Sequence, residues 1–495
     1  MRKFRLKYFF LSILSGLLIA LSFPKINAFY LAWIAFIPLI YCSLRNCVRN
    51  SLIYGFISGM VCSAFSLYWI FSVLEYNTNS YIQSFAASGI LWAYLSLYFS
   101  LWSGIISFSR RHFHPVLSSL FGACAWVTLE FIRTYFLTGF GWNSLGYSQS
   151  SFVHIIQIAD IAGVYGVSFV IVFINMLLYY WLQDSKNKRY LVLSAALFFA
   201  VILYGSVRIG KYNPTYGEKI SVGVVQPNID QYKKWNDSYI DYILQTLGNN
   251  AKYFKDKNID LLIYPETALP GYLQNDLKLQ NTVNDISSFS KLTLIGSPGF
   301  YNELIYNSIF AVKQDGTILN SHNKNHLVVF GEYIPFRKIL AKYFGVLNSL
   351  GDFSKGQAMQ IFRYNNLAVG ATICSENFFP DLSRKLVVNG SKILTNHTND
   401  AWFFDSFAPY QHFVMNIFRA IENRKNLIVS ANTGISAVID SSGNVLTKTK
   451  INENLSFISD AYQNEDITIY DRIGDGFSYL CSAFTLFIII LVFVL

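Results

Sequence analysis

Long apolar runs occupy residues 1 to about 207 and the last 17, whereas 208 to about 477 alternates short apolar stretches with acidic, polar and turn-forming ones. A bilayer core of about 30 Å needs roughly 17–25 apolar residues per helical span. The pattern predicts eight spans, over 8–24, 29–44, 52–74, 82–108, 115–136, 161–182, 190–207 and 479–495. The first run follows Arg2, Lys3, Arg5 and Lys7 as a signal peptide's would. It lacks a small-x-small cleavage pattern and precedes further spans, so a retained helix is expected.

Charge adds a direction. With the N-terminus inside, the inner segments hold Arg2, Lys3, Arg5, Lys7, Arg45, Arg49, Arg110, Arg111, Lys186, Lys188 and Arg189, and the short outer loops hold only Lys25. Lys and Arg are retained on the cytoplasmic side. The expected organisation is a seven-span membrane domain (1–207), an extracytoplasmic segment (208–477) and a C-terminal span (478–495). The net charge of +10 then partly reflects membrane anchors and gives no argument for nucleic-acid binding. A composition 53% hydrophobic and 14% charged fits a membrane protein better than an array of soluble domains.

The polar segment reads as mixed α and β. Strands are predicted at 220–225, 261–264, 292–296, 308–312, 367–373, 392–395, 427–430 and 436–440, with helices over 237–255 and 412–423. Two sheets flanked by helices satisfy this order. Residues 184–189 form a solvated turn, 210–217 a connector out of the membrane, and no internal repeat or low-complexity run interrupts the chain.

Candidate chemistry comes from strand ends, where α/β architectures expose reactive groups. Glu266 follows 261–265, Cys374 follows 367–373, and Lys324 follows a hairpin-like stretch over 312–320. Of six cysteines, at 42, 47, 62, 124, 374 and 481, only Cys374 lies in the outer segment, so no second cysteine there can form a disulfide with it. A thiol near pKa 8.5 needs a base or a cation to act as a nucleophile, roles open to Glu266 and Lys324. A surface Glu, a surface Lys and a core Cys satisfy the same placement.

Pro265-Glu266-Thr267-Ala268-Leu269-Pro270, Lys324 eight residues before Glu332 in Phe330-Gly331-Glu332-Tyr333-Ile334-Pro335, and Ile373-Cys374-Ser375-Glu376 together resemble the nitrilase superfamily. More narrowly the chain resembles the bacterial apolipoprotein N-acyltransferase family. Trp126, Glu130, Arg133, Gly139-Phe140-Gly141-Trp142, Gly146-Tyr147 and Gly163-Val164-Tyr165-Gly166 match its membrane part. Gln226-Pro227-Asn228, Gln231, Trp235, Asn399-Asp400-Ala401-Trp402-Phe403, Ala408-Pro409-Tyr410-Gln411-His412 and Asn432-Thr433-Gly434-Ile435 match the rest.

The resemblance implies an αββα nitrilase-like domain on a helical membrane bundle in the bacterial inner membrane, with the catalytic domain periplasmic. It implies acyl transfer from a glycerophospholipid, through a Cys374 thioester, to the α-amino group of a diacylglyceryl apolipoprotein. Glu266 would be the general base, Lys324 the stabiliser of thiolate and oxyanion, and Glu332 a supporting carboxylate. Glu376 and Trp235 match positions used around the site. Ser375 departs from the family, which has Tyr after the nucleophile. No metal or organic cofactor is implied, and a monomer is expected.

Other polar groups admit plainer readings. Glu130 and Arg133 can pair on one helix face or recognise a lipid headgroup. His322 and His326 stand four apart, but Lys324 between them and the missing Glu argue against zinc. His397 and His412 read as hydrogen-bonded or surface residues rather than ligands. Phe140, Trp142, Trp402, Phe403 and Phe404 suit a lipid opening or an interfacial aromatic belt. A membrane-tethered amidase using the same triad is the nearest alternative activity. A transporter or receptor would need polar residues along its spans, which carry few.

Overall fold

The computed structural model describes residues 5–110, 112–334, 337 and 353–494. Arg2, Lys3, Arg111, Pro335 and Leu495 lie outside them. By its contacts the chain divides into a helical unit (1–210, 406–414 and 473–495) and a sheet unit (211–405 and 415–472).

In the helical unit the apolar runs fold into α1 (Leu6–Leu21), α2 (Ile37–Arg45), α3 (Val48–Ser66), α4 (Trp69–Thr78), α5 (Tyr81–Ser109) and α6 (Pro115–Tyr135). There follow α7 (Val153–Ile156), α8 (Ala159–Gln183) and α9 (Arg189–Lys211), with a last helix at Gly476–Val494. Among the described residues, α5, α6, α8 and α9 are each long and apolar enough to cross a membrane, and α3 with α4, bent by 64°, makes a fifth candidate. The helices at 6–21, 29–45 and 476–492 are shorter. The second expected span is divided between a 3-10 turn at Phe29–Trp33 and α2, and the third between α3 and α4.

Small residues let α3 and α5 pack closely. A methyl group on Gly59 of α3 would come within 2.7 Å of Ser96 Cα on α5, so only glycine lets the two backbones approach this far. The Ser100 hydroxyl of α5 donates to Leu52 O at 2.8 Å, which satisfies its polar atom across the same contact.

The break between α3 and α4 has a polar cause within its own unit. Gln411 Nε2 donates to Ser66 O at 3.0 Å, and Gln411 Oε1 accepts from Trp142 Nε1 at 2.8 Å and Trp69 Nε1 at 3.3 Å. One amide thus caps a carbonyl at the helix end and ties down two indoles. Trp142 is buried here, inside the unit rather than on an exterior belt. Glu130 and Arg133 do not close on each other among the described residues. Glu130 Oε1 accepts from Leu145 N at 2.6 Å and Arg133 Nη2 donates to Ser144 Oγ at 3.3 Å, so both hold the segment that follows α6.

The sheet unit contains β1 (Glu218–Gln226), β2 (Ile259–Ile263), β3 (Ser290–Tyr301), β4 (Leu304–Lys313), β5 (Ile318–Asn323) and β6 (Ile361–Tyr364). It continues with β7 (Leu367–Ile373), β8 (Ile393–Thr398), β9 (Leu427–Ala431), β10 (Ala437–Ile439), β11 (Val445–Lys448) and β12 (Leu455–Gln463). One sheet runs β12-β1-β2-β3-β4-β5 and the other β11-β10-β9-β8-β7-β6. Each has three parallel central strands, β1-β2-β3 and β7-β8-β9, flanked by antiparallel ones.

Central strands buried on both faces read as continuous Val, Ile and Leu runs, which is why they are legible in the chain. Val222, Val224, Leu261, Ile263 and Leu292 of the first sheet pack against Val369, Ala371, Ile373, Ile393 and Ile428 of the second, forming the core between them. The outer face of the first sheet is covered by α11 (Ile240–Lys252) and α12 (Leu277–Ser287), which follow the short turn α10 (Gln231–Lys234). Their buried residues, Ile243, Leu244, Leu247 and Ala251, then Leu279, Val283 and Ile286, repeat at helical spacing. The helix expected over 237–255 begins at Ile240, after a separate 3-10 turn, and β5, β6, β11, β12, α12 and the helix Pro380–Val388 were not foreseen.

Candidate active site

Glu266 lies three residues past β2, Lys324 directly after β5 and Cys374 directly after β7. Lys324 Nζ is 2.9 Å from Glu332 Oε1 and 3.5 Å from Glu266 Oε1, and all three heads are largely removed from solvent. Asn307 Nδ2 donates to both carboxylates, at 2.7 Å to Glu266 Oε1 and 2.9 Å to Glu332 Oε1. The second oxygen of Glu266 accepts from Asn399 N at 2.9 Å, and that of Glu332 from Val328 N at 2.8 Å. A buried cation between two carboxylates, each hydrogen-bonded on both oxygens, is a fixed arrangement rather than a surface salt bridge.

Backbone geometry presents the thiol. Cys374 has φ 50° at the start of a 3-10 turn, the left-handed region that a side-chain-bearing residue rarely adopts. Glu376 holds this turn: Oε2 accepts from Ile373 N at 2.8 Å, and Oε1 from Asn325 N at 2.6 Å and His326 N at 3.2 Å. One carboxylate therefore ties the Cys374 turn to the segment that leaves Lys324. Burial works to raise the pKa of Glu376, but His322 and these amides more than offset it and leave the carboxyl below its usual range.

Electrostatics couple the three chemical residues. Burial first, and then the Glu266 carboxylate, push the Cys374 thiol well above its ordinary pKa, while Lys324 pulls it down. At rest the sulfur is a neutral thiol with a base and a cation within electrostatic reach. Burial alone would lower the Lys324 amine, but Glu332, Glu266 and Cys374 outweigh it and hold its pKa above the ordinary lysine value. Such a set can remove a proton from sulfur, hold the charge that results and receive a proton back.

His322 and His397 are core residues, and His326 is half-buried. His397 Nδ1 donates to Tyr264 O at 2.7 Å and the ring is 3.0 Å from Thr395 Oγ1, and burial brings its pKa down to about 4. His322 Nδ1 accepts from Gln360 N at 3.3 Å, and the His326 ring lies 3.7 Å from that of Phe379. Among the described residues no three His, Cys, Asp or Glu side chains come close enough to hold a metal ion.

Residues 15–177 match the apolipoprotein N-acyltransferase N-terminal domain, and residues 221–459 match the carbon-nitrogen hydrolase family. The apolipoprotein N-acyltransferase of Geobacter metallireducens is 36% identical, over 96% of this chain and 93% of its own. The chain belongs to the apolipoprotein N-acyltransferase family. Its relative in Haemophilus influenzae is 31% identical over 90% of this chain and 88% of its own. Among solved structures, Saccharomyces cerevisiae Nit3, of the nitrilase superfamily, is 16% identical with a TM-score of 0.39, covering 52% of this chain and 93% of its own.

In this family member two polar residues join the site that strand-end reasoning did not find. Asn307 is central in β4, and Lys234 ends α10 with Nζ donating to Glu266 O at 3.1 Å. Asn399 was seen only as part of a motif. Trp235, by contrast, is half exposed.

Ser375, where the resemblance has Tyr, is buried, and its hydroxyl has no hydrogen-bond partner among the described residues. A buried hydroxyl without a partner contributes little, so Ser375→Ala is expected to change stability by less than about 1 kcal/mol. Thermal unfolding of the purified variant checks this. A loss above about 2 kcal/mol would show that the hydroxyl is bonded after all.

Proposed function

We propose that this family member moves a fatty acyl chain from a membrane glycerophospholipid, through a thioester on Cys374, to the α-amino group of a diacylglyceryl cysteine at the start of an apolipoprotein. Glu266 takes the thiol proton as sulfur attacks the ester carbonyl. Lys324 balances the negative charge of the thiolate and then of the tetrahedral oxygen. Collapse breaks the carbon–oxygen bond, and the glycerol oxygen leaves with the proton returned from Glu266, giving lysophospholipid and acyl-enzyme. In the second half the acceptor amine attacks the thioester, Glu266 takes its proton, and Cys374 leaves as a thiol with an amide formed. Glu332 fixes Lys324, and Glu376 fixes the nucleophile turn.

The observation that carries this reading is the Lys324 ammonium held by Glu266 and Glu332 beside a strained Cys374 turn. The loops around it favour a lipid over a small soluble amide. Trp235 next to Lys234, Phe330 and Val328 between Lys324 and Glu332, and Trp402 and Phe404 after Asp400 are all exposed apolar side chains. The loops that carry Lys234, Lys324 with Glu332, and Asn399 thus also carry an apolar surface, which suits acyl chains. We place the helical unit in the inner membrane as seven spans before residue 208 and one after 477, with the sheet unit periplasmic and the chain acting as a monomer.

The test is transfer itself. Purified protein in detergent with phosphatidylethanolamine and a diacylglyceryl lipopeptide is expected to add one acyl mass to the peptide amine. Acylation that proceeds without phospholipid, or hydrolysis of short amides in its place, would favour the amidase reading.

A further inference from the structure

Lys234 is 2% exposed although it sits between Lys233 and the exposed Trp235 on a four-residue helical turn. Its loop is held firmly. Asn432 accepts from Ile229 N at 2.9 Å and donates to Ile229 O at 2.8 Å, and Asn399 Nδ2 donates to Gln231 Oε1 at 2.8 Å. This scaffold directs the Lys234 side chain inward, where the bond to Glu266 O at 3.1 Å is its one hydrogen bond among the described residues. An ammonium has three donors, and a lysine kept only to fill space would not be buried with two unspent. The charged or titratable groups it feels are Glu266, past β2, and Cys374, past β7.

We propose that Lys234 is a positioning residue of this site, anchoring the main chain that carries Glu266 and adding a second positive charge, alongside Lys324, to stabilise the charge that builds on Cys374 and its substrate. The proposal rests on Cys374 being the acylated nucleophile. The two cations differ in how they titrate. Lys324 stays protonated, whereas burial brings Lys234 down to about 8 against the opposing pull of Glu266 and Cys374. The Lys234 charge therefore declines as pH rises through about 8.

The first half-reaction isolates this effect, since no acceptor amine titrates in it. Acylation of the full-length protein by labelled phosphatidylglycerol, whose headgroup has no amine to titrate, followed from pH 6 to pH 10, is expected to decline with a midpoint near 8. Lys234→Met is expected to lower the rate about 10-fold or more at pH 7 and to abolish that descending limb, with little difference from wild type at pH 10. Lys234→Arg keeps the charge, so its limb should move above the measured range. If both variants retain the wild-type limb and lose the same factor at every pH, Lys234 acts only in packing and the proposal fails. Should Lys234→Met not fold, the Arg variant alone decides, by whether its limb moves. Failure of wild type to form any Cys374 adduct would instead overturn the underlying functional reading.

Discussion

Glu266→Gln is expected to reduce acyl transfer by about 10²–10⁴-fold, the usual contribution of a positioned general base. The substitution keeps the shape, so the loss isolates the proton and charge. In the native site both carboxylate oxygens accept, one from Asn307 Nδ2 and the other from Asn399 N. A glutamine offers one acceptor and one donor, so its amide must face a donor with a donor. The thiol should respond in the opposite sense to the activity. The Glu266 charge helps hold the Cys374 thiol pKa up, and removing it while Lys324 remains must bring that pKa down. Alkylation of Cys374 by iodoacetamide, followed by peptide mass, should thus reach its half-maximal rate at a lower pH in the variant that has lost activity. A thiol that titrates at an unchanged or higher pH would show that Glu266 does not act on Cys374.

Lys324→Met is expected to cost the sheet unit about 3–5 kcal/mol and to abolish transfer, because it leaves Glu266 and Glu332 buried without their shared cation. One of them must then take up a proton, and its folded pKa rises above the unfolded value. Such a group makes the folded state bind more protons, so stability is retained below the unfolded carboxylate range and falls as pH rises toward the raised value. The variant should therefore be closer to wild type at pH 5 than at pH 8. Denaturation of both proteins at the two pH values checks the sign. An equal deficit at both would mean that neither carboxylate changes its protonation and that the cation matters less than its packing.

The parts of this architecture visible in the chain were those set by local pattern. The runs at 220–225, 261–264 and 367–373 are apolar on both faces because β1, β2 and β7 lie inside their sheets. Glu266 and Cys374 stand out as candidates because reactive groups emerge at the ends of such strands. What escaped depended on distant partners. β12 carries polar residues at Ser456, Ser459 and Asp460, and it is a strand because it pairs with β1, Glu218 opposite Gln463. Asn307 resembles any polar residue in an alternating strand until pairing through Pro298 sets its register in the sheet.

Lys234 sits among charged and aromatic neighbours in a polar stretch, where nothing local signals burial. The single apolar run over 52–74 likewise concealed a broken helix, because the group that caps the break, Gln411, lies far along the chain. The resemblance singles out Glu266, Lys324 and Cys374 as candidates more sharply than strand ends do, but it is silent on Lys234. Around a site, register and long-range hydrogen bonds decide which polar residues are buried, and neither has a sequence period.

Full-length protein is incubated with phosphatidylethanolamine labelled in its acyl chain, without acceptor, and the peptide containing Cys374 is weighed before and after hydroxylamine. The expected result is one acyl mass on Cys374, released by hydroxylamine and absent from Cys374→Ala. A folded protein that N-acylates the lipopeptide at full rate yet shows no such adduct, or whose Cys374→Ala variant remains active, would contradict the thioester account.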